Sequence, residues 1–396
     1  MSVQPCVEHR ILPGALYIEN AAVVTPTEVL EGESVTIRDG RIEAIGADRC
    51  PAGARCLDAG GALLLPGFVD IHSDAIETAI QPRPGGRFPV SMAMRELDRN
   101  LVACGITTIF HSLSFCDNLQ TGLRRSDQCS ELIRQINAEA DGMRANTRVH
   151  LRFEITEIQA IPLVERLVHD DQVHFFSLMD HTPGQGQFVD VEQFRLYYGK
   201  VRGKTALELD TLIDWRIAAR QHVEDTPLLY LTRMCRKKGI GVASHDDDTE
   251  DKVNWNHLLG VCLSEFPVTL EAARAARRYN MHISLGAPNI LRGGSATGNL
   301  SGRDAIADGC GSIICSDYAP MAMVHAGIAL VKHGLLDLVN MSRMLSRNPA
   351  EAVGLDKVTG SIEEGKAADL VLINITDGYP HILRTFVAGK QVYASC

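Results

Sequence analysis

The chain has 396 residues, of which 45% are hydrophobic and 22% are charged. This composition is typical of a folded enzyme and excludes a disordered, collagen-like or low-complexity chain. Lys and Arg number 39 against 49 Asp and Glu, and the resulting net charge of −10 excludes an overall positive field for nucleic acid or an anionic membrane. A small anionic substrate is still compatible, because its site needs positive charge only locally.

No segment has the pattern of a membrane span or a secretory signal. The longest apolar stretch, residues 62–69, is interrupted by Pro66 and Gly67 and is shorter than the roughly 20 residues of a spanning helix. Residues 1–10 lack the apolar core of a secretory signal. The 11 cysteines are an odd number without C-x-x-C spacing, which argues against a zinc site built from cysteines. We expect a cytoplasmic protein.

Both ends of the chain have the alternating pattern of short strands. Residues 34–46 alternate apolar and polar side chains on both sides of Asp39-Gly40, a pair that favours a tight hairpin turn. The same pattern returns in residues 369–375 and 386–393. The two ends are therefore predicted to form one composite β domain, made of residues 1–65 and 355–396.

The middle of the chain, residues 66–354, consists of short apolar runs separated by longer helical patterns, which indicates βα units and a parallel sheet. Eight such runs can be counted, and eight strands close a (β/α)₈ barrel. The predicted strands are Phe68–His72, Thr107–His111, Val149–Ile155, Phe175–His181, Ile240–His245, Gly260–Leu263, His282–Leu285 and Ser312–Ser316. The predicted fold class is therefore α/β: a (β/α)₈ TIM barrel with a small β-sandwich domain built from both chain termini.

Helical signals separate these runs. Residues 224–238 end in a basic turn followed by Gly239, and residues 270–278 follow Thr269, a good N-cap residue. Residues 187–224 contain more helix than one crossover needs, which leaves open a miscounted strand in that stretch.

Six side chains of the types that bind metal ions stand where the predicted strands end. They are His72, Asp74, Glu154, His181, His245 and Asp317. The i, i+2 spacing of His72 and Asp74 puts both on one face of an extended chain, and the carboxyl ends of barrel strands meet at one rim. Three imidazoles and three carboxylates there suit one or two divalent cations, with Zn²⁺ preferred and Mn²⁺ or Fe²⁺ as alternatives.

Simpler interpretations stay open for individual residues. A His or Asp that follows a strand is more often a hydrogen-bonded rim residue or the N-cap of the next helix, and Asp246, Asp247 and Asp248 are interpreted as orienting or capping residues of this kind. His111, which ends the second predicted strand, is either a seventh ligand or a residue that faces solvent or hydrogen-bonds a neighbour.

The chain resembles the amidohydrolase superfamily. The resemblance rests on the β unit split across the termini, on Pro66-Gly-Phe-Val-Asp-Ile-His-Ser-Asp74 and on Gly365-Lys-Ala-Ala-Asp-Leu370. Within the superfamily the chain is most similar to diphosphatases of phosphonate catabolism, over nearly its whole length. The most specific stretches are residues 82–85, 105–108, 177–185, 243–247, 286–295 and 316–318.

This resemblance implies roles for the six residues. His72 and Asp74 would bind the more buried cation, Glu154 would bridge two cations, and His181 and His245 would hold the second. Asp317 would be both a ligand and the catalytic proton acceptor. By the strand count above, Glu154, His181 and His245 lie one strand earlier than superfamily usage has them.

The resemblance also implies a reaction, the release of pyrophosphate from α-D-ribose 1-methylphosphonate 5-triphosphate by a metal-dependent hydrolase. Zinc lowers the pKa of a bound water to about 7, which makes hydroxide available as a nucleophile at neutral pH. Asp317 would take up its proton. The competing interpretation of Asp317 is a purely structural turn residue.

A triphosphate substrate requires a cradle of positive charge, and two loops are candidates. The loop after the first predicted strand carries Arg83 and Arg87, and the loop after the seventh carries Arg292, Gly293, Gly294 and Ser295. Loops in the latter position often bind phosphate in barrels, and glycines allow backbone N–H groups to approach its oxygens. The alternative is a pair of solvated loops whose glycines only turn the chain.

Two other functions stay open. An amidohydrolase or deaminase would use the same cations to cleave a C–N bond of a small cyclic amide or nucleobase-like substrate. A metal-free scaffold without catalysis is the third interpretation, and the full ligand set argues against it. The expected partner is a small anionic phosphorylated substrate, with no nucleic acid and no membrane, and a homo-oligomer is left open.

Overall fold

The computed structural model describes residues 15–83, 85–116, 122–202, 204–295 and 298–395. The expectation that residues 1–10 contain no secretory signal lies outside the described residues. No helix among the described residues has both the length and the apolar character needed to cross a membrane.

The described residues form sixteen strands, divided between two eight-stranded sheets. The strands are β1 (Leu16–Val24), β2 (Val29–Arg38), β3 (Arg41–Ile45), β4 (Arg55–Asp58), β5 (Leu63–Pro66), β6 (Phe68–Ser73), β7 (Ile106–Phe115), β8 (Asn146–Glu154), β9 (Phe175–Met179), β10 (Gly241–His245), β11 (Leu263–Glu265), β12 (His282–Gly286), β13 (Ile313–Cys315), β14 (Leu370–Thr376), β15 (Tyr379–Val387) and β16 (Lys390–Ala394).

Helices connect and cover these strands. They are α1 (Ala75–Ile80), α2 (Val90–Ala103), α3 (Ser126–Glu139), α4 (Ile161–His169), α5 (Val191–Arg202), α6 (Ala206–Gln221), α7 (Asp225–Lys237), α8 (Glu250–Leu258), α9 (Leu270–Arg278), α10 (Ala287–Arg292), α11 (Gly302–Ala307), α12 (Ala322–Lys332), α13 (Leu338–Ser342) and α14 (Asn348–Ala352). The predicted Thr269 cap is confirmed, since its hydroxyl accepts from the Ala272 N–H at the start of α9.

The two ends of the chain share one sheet, as predicted. Its order is β16-β15-β14-β5-β1-β2-β3, with β4 also paired to β1, and the N-terminal β5 lies antiparallel to the C-terminal β14. The predicted turn is present, because Asp39 and Gly40 have φ angles of 49° and 76° between β2 and β3. A Cβ on Gly40 would lie 2.8 Å from the carbonyl oxygen of Ala388 in the C-terminal hairpin, so only glycine fits where the two ends meet.

The small domain also contains one covalent cross-link that was not predicted. A disulfide joins Cys50 to Cys56, two residues with Cα atoms 6.5 Å apart.

The barrel consists of β6 to β13 in sequential order, all parallel, so the predicted count of eight strands is confirmed. The sixth strand overlaps its predicted range, residues 260–263, only at Leu263. The first and last strands meet at their carboxyl ends, where Ser73 bridges to Asp317. There the Asp317 N–H donates to the His72 carbonyl at 3.0 Å, and the Asp74 N–H donates to the Asp317 carbonyl. Closure of the barrel therefore brings three of the predicted ligands into one backbone contact.

The mouth of the barrel is the open end formed by the carboxyl ends of its strands. Below the mouth, the interior of the barrel is a packed apolar core. Val69, Phe110, Phe175 and Leu263 are buried in it, together with Ala350 of α14. A much larger cluster lies between the strands and the surrounding helices. The site is therefore confined to the carboxyl end of the strands, as in other barrels of this type.

The stretch that left the strand count open is helical. Three helices, α5, α6 and α7, follow β9, and the described residues between β9 and β10 include no further strand. α5 and α6 bury Phe194, Tyr198 and Leu209 in a core of their own. Arg216 of α6 is buried in the same place and donates to the His181 carbonyl at 2.9 Å. The eight-strand count was therefore right.

Candidate metal centre

Three barrel strands are followed, within two residues, by a residue with left-handed backbone conformation. Asp246, Phe266 and Asp317 have φ angles of 54°, 53° and 58°, a conformation that is costly for residues other than glycine and that concentrates at functional sites. Each donates its backbone N–H to the neighbouring strand. The chain thus makes one more sheet bond and then turns sharply at the mouth.

The side chains at this end form three overlapping groups whose ligand atoms lie within 4.8 Å of one another. The groups are His72, Asp74 and Asp317; His181, His245 and Asp246; and His72, His245 and Glu265. Imidazole nitrogens and carboxylate oxygens are suitable ligands for zinc and similar divalent cations. Five of the six predicted ligands therefore lie in candidate groups, and the residues fit a divalent cation.

The first group is oriented by a buried carboxylate. The Nδ1 atom of His72 lies 2.8 Å from Oε1 of Glu265, which ends β11 and is fully buried. His72 therefore presents Nε2 to the mouth, 3.9 Å from Oδ1 of Asp74. A carboxylate behind a ligating histidine fixes its ring and its tautomer. The rings of His72 and Phe266 also pack edge to face, 4.8 Å apart.

The second group has a carboxylate on each histidine. Glu154 accepts from the backbone N–H of His181 at 3.1 Å and contacts its Nδ1 at 2.8 Å, so both carboxylate oxygens face His181. His245 uses Nδ1 to contact Asp246 at 2.8 Å. Glu154 belongs to none of the three groups. Its predicted bridging of two cations stays a prediction, because the structure shows Glu154 only as a partner of His181.

A buried arginine lies between the two groups. Arg152, on the same face of β8 as Glu154, is 5% exposed. Its Nη1 donates to Oδ1 of Asp74 at 3.0 Å, and its Nη2 donates to Nε2 of His245 at 3.0 Å. Burial raises the pKa of Asp74, but Arg152, His72 and Arg124 outweigh that effect and lower it to about 2. Asp74 is therefore ionised over the whole physiological range.

Comparison with known proteins identifies the family of the chain. A model of the amidohydrolase family matches residues 217–392. The chain is 34% identical to the α-D-ribose 1-methylphosphonate 5-triphosphate diphosphatase of Escherichia coli, over 96% of this chain and 100% of that protein. The chain belongs to the amidohydrolase family. It is also 22% identical to the dihydroorotase of Aquifex aeolicus, over 91% of this chain and 89% of that one.

Solved structures support the fold of this amidohydrolase. Dihydropyrimidinase from Brevibacillus agri superposes with a TM-score of 0.66 at 15% identity, covering 96% of this chain and 95% of that one. N-acetylglucosamine-6-phosphate deacetylase from Pasteurella multocida gives 0.65 at 15% identity, covering 96% and 100%. The match extends over both domains, so the barrel and the composite β domain occur together in these relatives as well.

The predicted metal ligands of this amidohydrolase lie on the predicted strands or follow them closely. Glu154, His181 and His245 end or follow the third, fourth and fifth barrel strands. The strand numbers on which the predicted offset from superfamily usage rests are therefore confirmed. The sixth strand ends in Glu265, which was not predicted because the sixth predicted strand ended two residues earlier, at Leu263.

The proton acceptor predicted for this amidohydrolase has a suitable environment. Burial is the main cause that raises the pKa of Asp317 to about 6, and Asp74 adds to it while His72 and Arg152 oppose it. A carboxylate with a pKa just below neutral is ionised at pH 7 and still basic enough to accept a proton. The buried Glu265 differs, since His72 and His150 overcome its burial and lower its pKa to about 2.

His111 is not at the end of its strand. β7 continues to Phe115, and His111 lies in its middle, 3% exposed and outside the three ligand groups. Its Nδ1 has no hydrogen-bond partner in the described part of the chain, and burial lowers the pKa of this imidazole to about 4. Of the alternatives open for His111, solvent exposure is wrong.

The predicted phosphate loops lie at the same end of the barrel. Arg83 and Arg87 are exposed in the loop after α1, and the exposed Arg292 ends α10 and donates to the Tyr318 hydroxyl at 2.7 Å. Tyr318 is the neighbour of Asp317 in sequence. Across the described ranges, none of these three arginines has an ion pair with a carboxylate.

In the loop after the seventh barrel strand, the two glycines form hydrogen bonds that end α10. Gly293 adopts φ of 74° as the C-cap of α10, and its N–H donates to the carbonyls of Asn289 and Ile290, while the Gly294 N–H also donates to Asn289. These amides complete the helix in the structure, and phosphate binding by the backbone of Gly293 and Gly294 stays a prediction. Ser295, which follows them, is half-buried, and its contact with phosphate stays a prediction.

Proposed function

We propose that this amidohydrolase is a metal-dependent diphosphatase that releases pyrophosphate from α-D-ribose 1-methylphosphonate 5-triphosphate. The observation that carries the proposal is the 34% identity to the E. coli enzyme of that name, which extends over essentially both chains. The dihydroorotases that also match are 22% or 23% identical. The small anionic phosphorylated substrate expected from the sequence is the same compound.

The group formed by His72, Asp74 and Asp317 is suited to hold a divalent cation, with Zn²⁺ the preferred ion. When bound there, the cation would supply a water molecule of lowered pKa as the nucleophile. Glu265 keeps the His72 ring turned so that Nε2 faces the mouth. Glu154 does the same for His181.

Asp317 is the proton acceptor in this proposal. Without a cation its pKa is raised to about 6, mainly by burial. A bound cation favours the charged carboxylate and lowers that pKa, so Asp317 is ionised at neutral pH. As the water oxygen forms a bond to the α-phosphorus of the triphosphate, its proton passes to Asp317. The bond between the α-phosphorus and the bridging oxygen breaks, and pyrophosphate leaves with that oxygen. The remaining product is ribose 1-methylphosphonate 5-phosphate.

Positive charge for the substrate comes from Arg83, Arg87 and Arg292. All three are exposed at the mouth and lack a carboxylate partner within the described ranges. A guanidinium without such a partner can bind phosphate oxygens in a bidentate manner. The arginines deeper in the mouth differ, since Arg152 and Arg124 already contact Asp74. The exposed three therefore support a triphosphate more than a neutral cyclic amide.

The proposal is tested by ³¹P NMR on the purified protein supplied with Zn²⁺ and the ribose triphosphate. The expected products are pyrophosphate and a 5-monophosphate in equal amounts. Asp317→Asn, which keeps the shape of the side chain, should lower kcat by about 10² or more, the usual contribution of a positioned acid–base group. Release of ammonia from nucleobase-like substrates, or opening of a cyclic amide, without pyrophosphate release would favour the C–N hydrolase instead.

A further inference from the structure

The first and second ligand groups at the barrel mouth are not equally available to a cation, and the third only combines His72 and His245 of these two groups with Glu265. In the first group, Glu265 contacts only Nδ1 of His72. The Nε2 atom of His72 faces Asp74 and is available to a cation. Together with Asp317 this gives three protein ligands, the number that catalytic zinc sites use beside an open position.

In the second group both nitrogens of His245 are engaged. Arginine can only donate hydrogen bonds, so Nε2 of His245 must accept from Nη2 of Arg152. Nδ1 must then carry the proton and donate to Asp246. An imidazole nitrogen has a single lone pair, and a zinc ion about 2.1 Å from Nε2 would collide with the guanidinium nitrogen that lies 3.0 Å from it.

Without His245 the second group is reduced to two ligands. The Nδ1 atom of His181 is engaged by Glu154. Only Nε2 of His181, 3.7 Å from Oδ2 of Asp246, is available to a cation. Two ligands are fewer than the three or four of tight zinc sites. Asp74 contacts Arg152 and, at 3.8 Å, Arg124. It still offers lone pairs to a cation, because a carboxylate has about four such positions.

We propose that the centre binds one divalent cation tightly, at His72, Asp74 and Asp317, and that the guanidinium of Arg152 takes the place of a second. Arg152 is a positioning residue that ties the two groups together through Asp74 and His245. This inference rests on the metal centre of the proposed function but is independent of its substrate, because the number of bound ions is the same for a triphosphate and for a cyclic amide.

The test counts bound ions by mass spectrometry after the folded, metal-free chain has been dialysed against Zn²⁺ and desalted. The wild type should retain one ion per chain, and Arg152→Met, which frees Nε2 of His245, should retain two. Arg148→Met is the matched control, since Arg148 lies on the same face of β8 and packs over Phe110, away from both groups. It should retain one ion.

Two further variants keep the test decisive if Arg152→Met does not fold. His245→Ala should still retain one ion per chain, whereas His72→Ala should retain less than a tenth of one. Two ions in the wild type, an unchanged count in folded Arg152→Met, or loss of the ion in His245→Ala would each overturn the inference. A wild type that binds one ion but does not cleave the ribose triphosphate would refute the proposed substrate and leave this inference standing.

Discussion

Nη2 of Arg152 donates a 3.0 Å hydrogen bond to Nε2 of His245 across the mouth of the barrel. The two residues belong to β8 and β10, which are separated by β9, so the contact spans a strand. Nη1 of the same guanidinium binds Asp74, which follows β6. One positive charge thus connects three strands and compensates a carboxylate whose pKa is held near 2.

The first prediction concerns the carboxylates behind the histidines. Glu265→Gln removes the charge that orients His72, and loss of such a partner typically weakens metal binding 10- to 100-fold, so we expect about that change in the Zn²⁺ dissociation constant. Glu154→Gln is the matched control, because Glu154 orients His181 in the other group. Competition with a chelator of known affinity measures both. An equal loss in the two variants would contradict a single tight site.

Part of this site could be predicted from the sequence, and the reason is geometric. His72 and Asp74 stand two residues apart at the end of an apolar run, and strand periodicity alone puts them at the rim. Glu265 and Arg152 were not predicted. β11 has only three residues and follows a weak pattern, and nothing in the sequence around Arg152 shows that its side chain reaches Asp74 and His245.

In the fold, too, local features could be predicted from the sequence, whereas long-range contacts could not. Most barrel strands contain a local apolar run, so they could be identified without knowledge of their partners. The exception is β11, whose prediction met the strand only at Leu263. Hairpins such as the one at Asp39-Gly40 are also local. The pairing of β5 with β14 joins residues about 300 positions apart, and only the resemblance and the presence of strands at both ends indicated it. The exact domain boundaries stay a prediction.

The second prediction concerns the exposed arginines. Arg292→Ala should raise KM for the triphosphate about 10- to 100-fold, the equivalent of one hydrogen bond between charged groups, and leave Zn²⁺ binding unchanged. Arg83→Ala and Arg87→Ala should act in the same direction. Arg134→Ala is the control, since this exposed arginine lies on α3 outside both loops. Initial rates against substrate concentration give the answer, and unchanged KM in all three variants would remove these loops from the substrate site.

The third prediction concerns acid stability. The pKa of the buried His111 is lowered from 6.5 to about 4, so its neutral form stabilises the fold fully above pH 6.5, and that contribution is lost as the pH falls through 4. His111→Leu should therefore lose less free energy of unfolding than the wild type between pH 6.5 and 4.5, by about 2 kcal/mol. At pH 7.5 the two should be similar, because Nδ1 has no partner within the described residues.

Urea unfolding of the metal-free proteins at several pH values measures this difference. His333→Leu, a change at an exposed histidine, is the control and should follow the wild type. Some acid sensitivity should persist in His111→Leu, because burial also lowers the pKa of His150, to about 3. Parallel curves for His111→Leu and the wild type would show that His111 does not govern this pH range.

The fourth prediction concerns the joint between the two ends of the chain. Gly40 and Gly32 both have positive φ, 76° and 68°, but a Cβ would lie 2.8 Å from the Ala388 carbonyl oxygen at Gly40 and would meet nothing within 4 Å at Gly32. Both alanine variants bear the left-handed strain of roughly 1–2 kcal/mol. Gly40→Ala should lose about 1–3 kcal/mol more of the free energy of unfolding, because the two hairpins must move apart.

Thermal unfolding of the two variants measures this difference. Equal losses in both would show that the chain accommodates the contact with Ala388 without loss of stability. The Zn²⁺ count should not change in either variant, because both glycines lie in the composite β domain, whereas the ligands lie at the mouth of the barrel.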